Sequence, residues 1–587
     1  MNLPRFLQPF ARGLGYFPAV RSRWIKGVLC IPVDTALGFA LLEVIRRVLN
    51  GVTREGAPMP VSEALAWGGV FVVLFLVKGA AKYGMRWWIT GASREFERIY
   101  RDDLFDHIVR LTPRDLAHIR TGDVMSRSVA DIEAVRMLLG PSVMYVTQAA
   151  LIVPTALTIM FLHDPLIAGV MLVPFSALAL IVRMSAPATQ RWSHEVQERM
   201  AELSVVAQEN YSGIRVVKAF ATEAMSGDVF RRMGRTFMEA NVRLATIRGL
   251  TSAVIGGVKD VGILLVLGVG GWRLVQGRLQ LGDVVQFWEL VQYTMWPLIA
   301  IGWMLGLYTR ARSGAERLDA IFEIEPSVGE TPTPARLDEV RGELEVRGLT
   351  FGWNGVPVLQ DVSFQVPAGK VLGITGRTGS GKTTLVQLLC RLVDPPPGTV
   401  FLDGHDIREL SFDTLRRALG VVPQDTFLFS ESIAANIAFA GDHISDDVVE
   451  SVAGIAQVDK DIAEFPEGYA QMLGERGVTL SGGQRQRTAI ARTLAADPPV
   501  LILDDCLSAV DSVTEQAILA GLRKALTGRT AVIVSHRVAA LSLADHVIVL
   551  DEGRVAEQGD HQGLVAMGGL YAGIAARQRI EQELETL

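Results

Sequence analysis

Six apolar segments crowd the first 310 residues of this 587-residue chain, at about 28–49, 61–83, 139–162, 165–186, 251–273 and 282–308. Each is long enough to cross roughly 30 Å of hydrocarbon as a helix, the one open-chain structure that satisfies its own backbone polar groups there. Buried helices of a soluble core are the bland alternative, and six such lengths in so short a stretch argue against it. The whole chain is 49% apolar and 20% charged, a lipid-facing composition once the apolar residues cluster in this way. The connections at 51–60, 163–165 and 277–281 are short and carry little positive charge, whereas 84–138 and 187–250 are long, helical in pattern and rich in Arg. An even number of spans with Arg-rich long connections places both termini and both long connections in the cytosol of a multi-pass plasma (inner) membrane protein. Residues 4–26 mix Phe, Leu and Trp with Arg5, Arg12, Arg21, Arg23 and Lys26, which predicts an amphipathic elbow helix on the cytosolic membrane face.

Asp34, Glu43, Lys78, Arg183, Lys259, Asp260 and Glu289 lie within or at the ends of the spans. Charged groups there face a cavity or pair with one another, and so mark a substrate path by default, although for any single one a structural role between helices is at least as good an account. Lys259 and Asp260 are consecutive and point about 100° apart on a helix, which predicts that they do not pair with each other. Pro154, Pro165 and Pro297 are expected to kink their helices. A net charge of −6 suggests no surface for nucleic acid. Cys30, Cys390 and Cys506 are far apart, without metal spacing, and read as small buried hydrophobes in a reducing compartment. No small-residue cleavage site follows the first apolar stretch, so no cleaved signal peptide is expected.

Residues 326–341 are rich in Pro, Glu and Thr without periodicity, a linker between a six-span domain at 1–325 and a second domain at 342–587. From Gly342 short strands alternate with helices, the pattern of an α/β domain. Within it Gly376-Arg-Thr-Gly-Ser-Gly-Lys382-Thr383 matches G-x-x-x-x-G-K-[ST] at every fixed position. The context is right: 370–375 reads as a buried strand, and a helix opens at Thr384. Backbone N–H groups of Gly376, Arg377, Thr378, Gly379, Ser380 and Gly381 would close around phosphate oxygens at a helix N-terminus. Lys382 would reach the β- and γ-phosphates, and the Thr383 hydroxyl would hold Mg²⁺. A Gly-rich turn that binds nothing is a poor account of this strand–loop–helix, so the loop binds ATP or GTP. Residues 498–505 form an apolar strand ending in Asp504 and Asp505, expected beside the phosphate-loop strand with Asp504 on Mg²⁺.

Between these elements lies Leu480-Ser-Gly-Gly-Gln484-Arg-Gln-Arg487. Phosphate loop, Leu-Ser-Gly-Gly-Gln and Asp-terminated strand, in this order, resemble the ATPase of ABC transporters. The layout over nearly the whole chain resembles a multidrug-type ABC exporter half-transporter. That resemblance implies an α-helical six-span transmembrane domain followed by an α/β P-loop nucleotide-binding domain, with ATP and Mg²⁺ as cofactors. It implies that Trp353 stacks on adenine, that Gln424 senses Mg²⁺, and that His536 contacts the γ-phosphate and the attacking water. Ser481, Gly482, Gly483 and Gln484 would clamp ATP bound to the opposite subunit, and Asp511 would lie in the loop crossing between the two sites. Leu473-Gly-Glu475-Arg-Gly is similar to the exporter-specific segment that touches the partner. The stretches 121–127 and 209–218 resemble the two coupling-helix regions.

One position departs from the family pattern. The residue after the Mg²⁺ aspartate is normally the Glu that polarises the attacking water, and here it is Asp505. Aspartate is shorter by one C–C bond, roughly 1.5 Å. A catalytic group misplaced by about 1 Å loses on the order of 10²-fold in rate. ATP binding should survive while hydrolysis at this site slows. With the signature and His536 intact, the chain resembles the degenerate-site member of a heterodimeric exporter of amphipathic small molecules, lipids or peptides. A homodimeric lipid or drug exporter with a competent Asp505, and an ATP-binding regulatory or channel-like subunit, are the alternatives. A soluble ABC ATPase of nucleic-acid maintenance has no use for six spans, and no cysteine-protease domain precedes the elbow, which disfavours a peptide-processing exporter.

Overall fold

The computed structural model describes residues 7–585 apart from 55–57, 338, 442, 475–476 and 478–479. Arg5 and Glu475 therefore lie outside the described residues. The chain divides into two units, the first comprising residues up to Arg110 and Leu116–Glu325, the second comprising Pro326 onward together with Leu111–Asp115.

The first unit is helical. Its long members are α1 (Phe17–Val52), α2 (Val61–Arg110), α3 (Pro141–His163), α4 (Pro165–Ser212), α5 (Glu223–Val275) and α6 (Leu281–Phe322). All six carry a stretch long and apolar enough to span a membrane. The arginine-rich connections are mostly helix, with 111–120 an exception: α2, α4 and α5 run on well beyond their apolar stretches. The amphipathic elbow does not form one separate helix over 4–26. Its described part has two short turns, Gln8–Phe10 and Ala11–Gly15, and from Phe17 onward it is continuous with the first span. Pro165 does not kink a helix: it is the first residue of α4, where a missing N–H has no intrahelical partner to lose. Pro154 and Pro297 do sit inside helices.

Five of the seven intramembrane charges, Asp34, Glu43, Lys78, Lys259 and Asp260, are engaged with side chains of their own unit. Glu43 accepts from Arg46 and Arg47, and Arg46 also donates to Asp283 at 3.0 Å. Gln148 donates to the buried Asp34 at 3.3 Å, and the Lys78 ammonium lies 5.1 Å from the centroid of the Tyr293 ring. Contrary to the angular argument, Lys259 and Asp260 do pair, with Nζ 3.5 Å from Oδ1. The four-carbon lysine stem swings far enough round the helix to cancel a 100° offset.

The second unit holds two sheets. The smaller is antiparallel, in order β2 (Val356–Val366), β1 (Leu344–Trp353), β4 (Val400–Leu402) and β5 (His405–Asp406). The larger runs β10 (Arg554–Gly559), β9 (His546–Asp551), β3 (Val371–Gly376), β8 (Thr530–Val534), β7 (Val500–Asp504) and β6 (Leu419–Val422). All its pairings are parallel except β9 with β10. Every residue of β3, β7 and β8 is buried, as expected of parallel strands covered on both faces. The Asp-terminated strand β7 is not adjacent to β3, because β8, later in the chain, is inserted between them. Nothing in the sequence of β7 distinguishes a next neighbour from a second neighbour. Its carboxyl end still opens on the same side as that of β3, since the three strands are parallel.

The 326–341 stretch packs along this unit. Arg391, 1% exposed, donates to Gly329 O at 2.7 Å and to the Ile407 and Leu410 carbonyls, and Ala335 bridges to Leu410. Leu111–Asp115 is held there too: Ser327 N–H donates to Asp115 Oδ2 at 3.1 Å, and the Thr112 and Ser327 hydroxyls are 3.2 Å apart. Cys390 and Cys506 are buried, and burial pushes both thiols up to about 12. Cys30 is half-buried, its Sγ bonded to Lys26 O.

Candidate nucleotide site

The carboxyl ends of β3, β7 and β8 converge, the place where an open α/β sheet presents its ligand site. A cleft of about 280 Å³ opens there, lined by Thr378, Gly379, Gly381, Lys382, Thr383, Thr384, Gln424, Asp504, Asp505 and His536, with Val358, Val534 and Ser535. Ten positions singled out in the sequence are thus brought to one wall-to-wall surface. Gly376 has φ +150°, and a Cβ there would stand 2.1 Å from the Leu550 carbonyl oxygen, so only glycine lets β3 turn into the loop. The helix α7 (Lys382–Leu389) starts two residues before the expected Thr384, which puts Lys382 and Thr383 in its first turn.

Lys382 is buried and donates to the carbonyls of Gly376 and Arg377 at 2.9 and 2.8 Å, so the ammonium is held inside the cradle. Burial lowers its pKa from the ordinary lysine value, against the pull of Asp504 and Asp505. The Ser380 hydroxyl, also buried, has no hydrogen-bond partner among the described residues. Burial and then the neighbouring Asp505 push Asp504 up to about 6, with Lys382 opposing. Two adjoining carboxylates in a desolvated cleft form a donor set that suits a hard divalent cation. His536 is held below the ordinary imidazole value by burial and then by Lys382, so its ring is neutral at pH 7.

Asp505 occupies the left-handed region, φ +45°, which aspartate tolerates better than most side chains. Its N–H donates to Val534 O at 2.8 Å and its carbonyl accepts from Ser508 N–H at 3.3 Å, which fixes the turn that aims the carboxylate. Trp353, the last residue of β1, donates from Nε1 to Thr384 Oγ1 at 3.2 Å and so abuts the phosphate-loop helix.

The signature residues lie outside this cleft. Ser481 caps α8 (Gly482–Ala495) in a reciprocal capping box with Gln484, whose amide also donates to Asp461 at 2.9 Å. Asp511 caps α9 (Ser512–Ala525) by accepting from Thr514 N–H at 2.9 Å. Residues not singled out in the sequence tie these parts together. Gln486 reaches the loop after Asp505. Arg537, beside His536, donates to Ser508 O at 3.2 Å and Val510 O at 3.1 Å and pairs with Glu515. The available signal for both was a polar or charged side chain directly abutting a motif, which is too common to single out.

Comparison with known families places this geometry. The profile described as "ABC transporter transmembrane region" matches residues 24–298, and that described as "ABC transporter" matches 359–508. The chain is 32% identical to the "Multidrug resistance-like ATP-binding protein MdlA" of Escherichia coli over 98% of each chain. It is 27% identical to an "ATP-dependent lipid A-core flippase" of Syntrophus aciditrophicus, covering 94% of this chain and 91% of that one. Among solved structures, that of a bacterial Atm1-family ABC exporter with ATP bound superposes with a TM-score of 0.76 at 27% identity, covering 95% of this chain and 98% of the other.

Proposed function

The chain belongs to the ABC transporter family, and from the aspartate at position 505 we propose that it is the slow-site half of a two-subunit exporter. It is a multi-pass membrane protein that combines permease and ATP-binding domains and couples ATP hydrolysis to multidrug or lipid export as a dimer. The finer reading adds asymmetry between the two ATP sites, an amphipathic cargo, and termini and long helical connections on the cytosolic side.

In this reading ATP is the substrate of the cleft. The phosphate-loop amides take up its β- and γ-phosphate oxygens, and Lys382 turns from the Gly376 and Arg377 carbonyls to them. Thr383, Asp504 and Gln424 would hold Mg²⁺, which, when bound, neutralises charge on those oxygens. Asp505 would orient the attacking water and accept its proton, while the neutral His536 ring bonds the γ-phosphate. Ser481, Gly482 and Gly483, at the capped start of α8, would complete the partner's site, and Asp511 would link the two.

Asp505 carries the proposal. The cleft is otherwise furnished for binding and chemistry, yet its base is one carbon short on a turn pinned through Val534. One observation favours a second reading, a homodimer with two working sites: the left-handed backbone suits aspartate. ATP turnover by the chain purified alone in lipid nanodiscs decides between them. Under the slow-site reading Asp505→Glu raises turnover on the order of 10²-fold, with Lys382→Ala as the blank. Equal, brisk rates for the native chain and Asp505→Glu would make Asp505 a working base and remove the case for an asymmetric pair.

A further inference from the structure

The segment Leu111–Asp115 belongs to the nucleotide unit by its contacts, yet on its N-terminal side it continues directly from Arg110, the last residue of the membrane-crossing α2. Within it the Arg114 guanidinium lies 4.8 Å from the centroid of the Trp353 ring. Trp353 is fixed at its one polar edge by the bond from Nε1 to Thr384, one residue beyond the loop's Lys382-Thr383. Phe351 meets the indole edge-to-face, with centroids 4.9 Å apart. The segment itself is anchored by Asp115, which accepts from the N–H groups of Thr112 and Ser327. Arg114 is thus a cation on a short tether whose contact with an aromatic ring is a cation–π stack.

We propose that Arg114 is a positioning residue that senses the nucleotide base: stacking of an adenine on Trp353 changes the hold of Arg114 on the indole, and the 111–115 segment passes that change to the end of α2. The inference rests on the proposed role of Trp353 as the base platform. Its physical ground is that a cation and a base draw on the same π-system. A purine laid on the ring changes the electron density and the space available to the guanidinium, and the short anchored segment converts that into a change of its own backbone. The phosphate-loop helix meets Trp353 through Thr384, whereas Arg114 meets the face of the ring. The base and the triphosphate therefore carry separable messages, and this link reads the base.

Hydrogen exchange of peptides covering residues 107–120, in the full-length protein in nanodiscs, tests this. Mg·ATP is compared with magnesium tripolyphosphate, which has no base, each at a concentration that protects the phosphate-loop amides equally. ATP is expected to change exchange in 107–120 at least about twofold and tripolyphosphate to leave it unchanged. Arg114→Ala should lose the ATP response while still binding ATP, and Arg114→Lys, which keeps a cation over the ring, should retain it. An identical response to tripolyphosphate, or an undiminished ATP response in Arg114→Ala, overturns the link. Trp353→Ala separates the two layers. Unchanged ATP affinity in that variant means that the base-platform reading has failed. Weakened affinity together with an intact response in Arg114→Ala means that only the sensing role has failed.

Discussion

The Gln486 side chain spans from the signature helix α8 to the loop that follows Asp505: Nε2 donates to Ser508 Oγ at 3.0 Å, and Oε1 accepts from Ala509 N–H at 3.0 Å. Gln486 is 6% exposed while Ser508 and Ala509 are exposed, so both bonds are partly shielded from water. The element proposed to serve the partner's ATP is therefore tied to the turn that aims this chain's own base.

Gln486→Leu would remove the acceptor of the Ala509 N–H and the partner of the Ser508 hydroxyl, both at a partly exposed turn. The expected cost is about 0.5–1.5 kcal/mol, seen as a lowered thermal unfolding midpoint, together with reduced ATP turnover of the assembled transporter. Gln486→Glu keeps an acceptor for Ala509 and a partner for the Ser508 hydroxyl, so its loss should be smaller. Equal midpoints for Gln486→Leu and the native chain would show that the bridge contributes nothing.

Asp504 sets a pH window. Its folded pKa of about 6 lies above the ordinary 3.8, so the folded state binds the extra proton between those values. By linkage, this group's contribution to stability is greatest below about pH 4 and declines as pH rises through 6. Mg²⁺ needs the ionised carboxylate, so magnesium-dependent ATP affinity runs the other way, weakening as pH falls through about 6. Titrating a fluorescent ATP analogue with and without Mg²⁺ from pH 5 to pH 8 checks this. The dependence should appear only with the metal and shrink in Asp504→Asn.

Gly282, at the start of α6, lies against α1. A Cβ there would be 2.3 Å from the Arg46 carbonyl oxygen, and the Gly282 N–H already donates to Asn50 Oδ1 at 2.7 Å. Backbone cannot yield as a flexible side chain would. Gly282→Ala should destabilise the membrane unit by about 1–3 kcal/mol. The variant should also weaken the nearby Arg46–Asp283 pair, so a midpoint already lowered in Asp283→Ala should fall less than additively in the double variant. Strict additivity would show that the two contacts act independently.

The parts legible in the sequence are those where one physical requirement dictates residue type. Membrane crossing demands long apolar runs, and close phosphate approach demands glycine, so the six helices and the turn after Gly376 could be read directly. What was not legible depends on three-dimensional insertion or on side-chain reach. The insertion of β8 between β3 and β7 leaves no trace in either strand, since all three are uniformly buried. The Lys259–Asp260 pair defeats an argument from Cα direction because a lysine stem is longer than the offset it must cross. Arg391 carries no motif that would single it out, yet its guanidinium is buried among carbonyls and holds residue 329 in place. The attachment of 111–115 to the nucleotide unit is likewise invisible in a stretch that reads as the tail of a long helix.

Cys390 and Cys506, sealed in the α/β unit with thiols pushed up to about 12, are poor targets for alkylating reagents at neutral pH. Cys30 then remains the one native thiol with any reach to a reagent. A single Cys30→Ser change would turn the chain into a silent background for site-directed spectroscopy. Spin or fluorophore pairs could be installed at chosen positions and the distances between the subunits of the exporter followed through a turnover, without stripping the nucleotide domain of the packing its two buried cysteines provide.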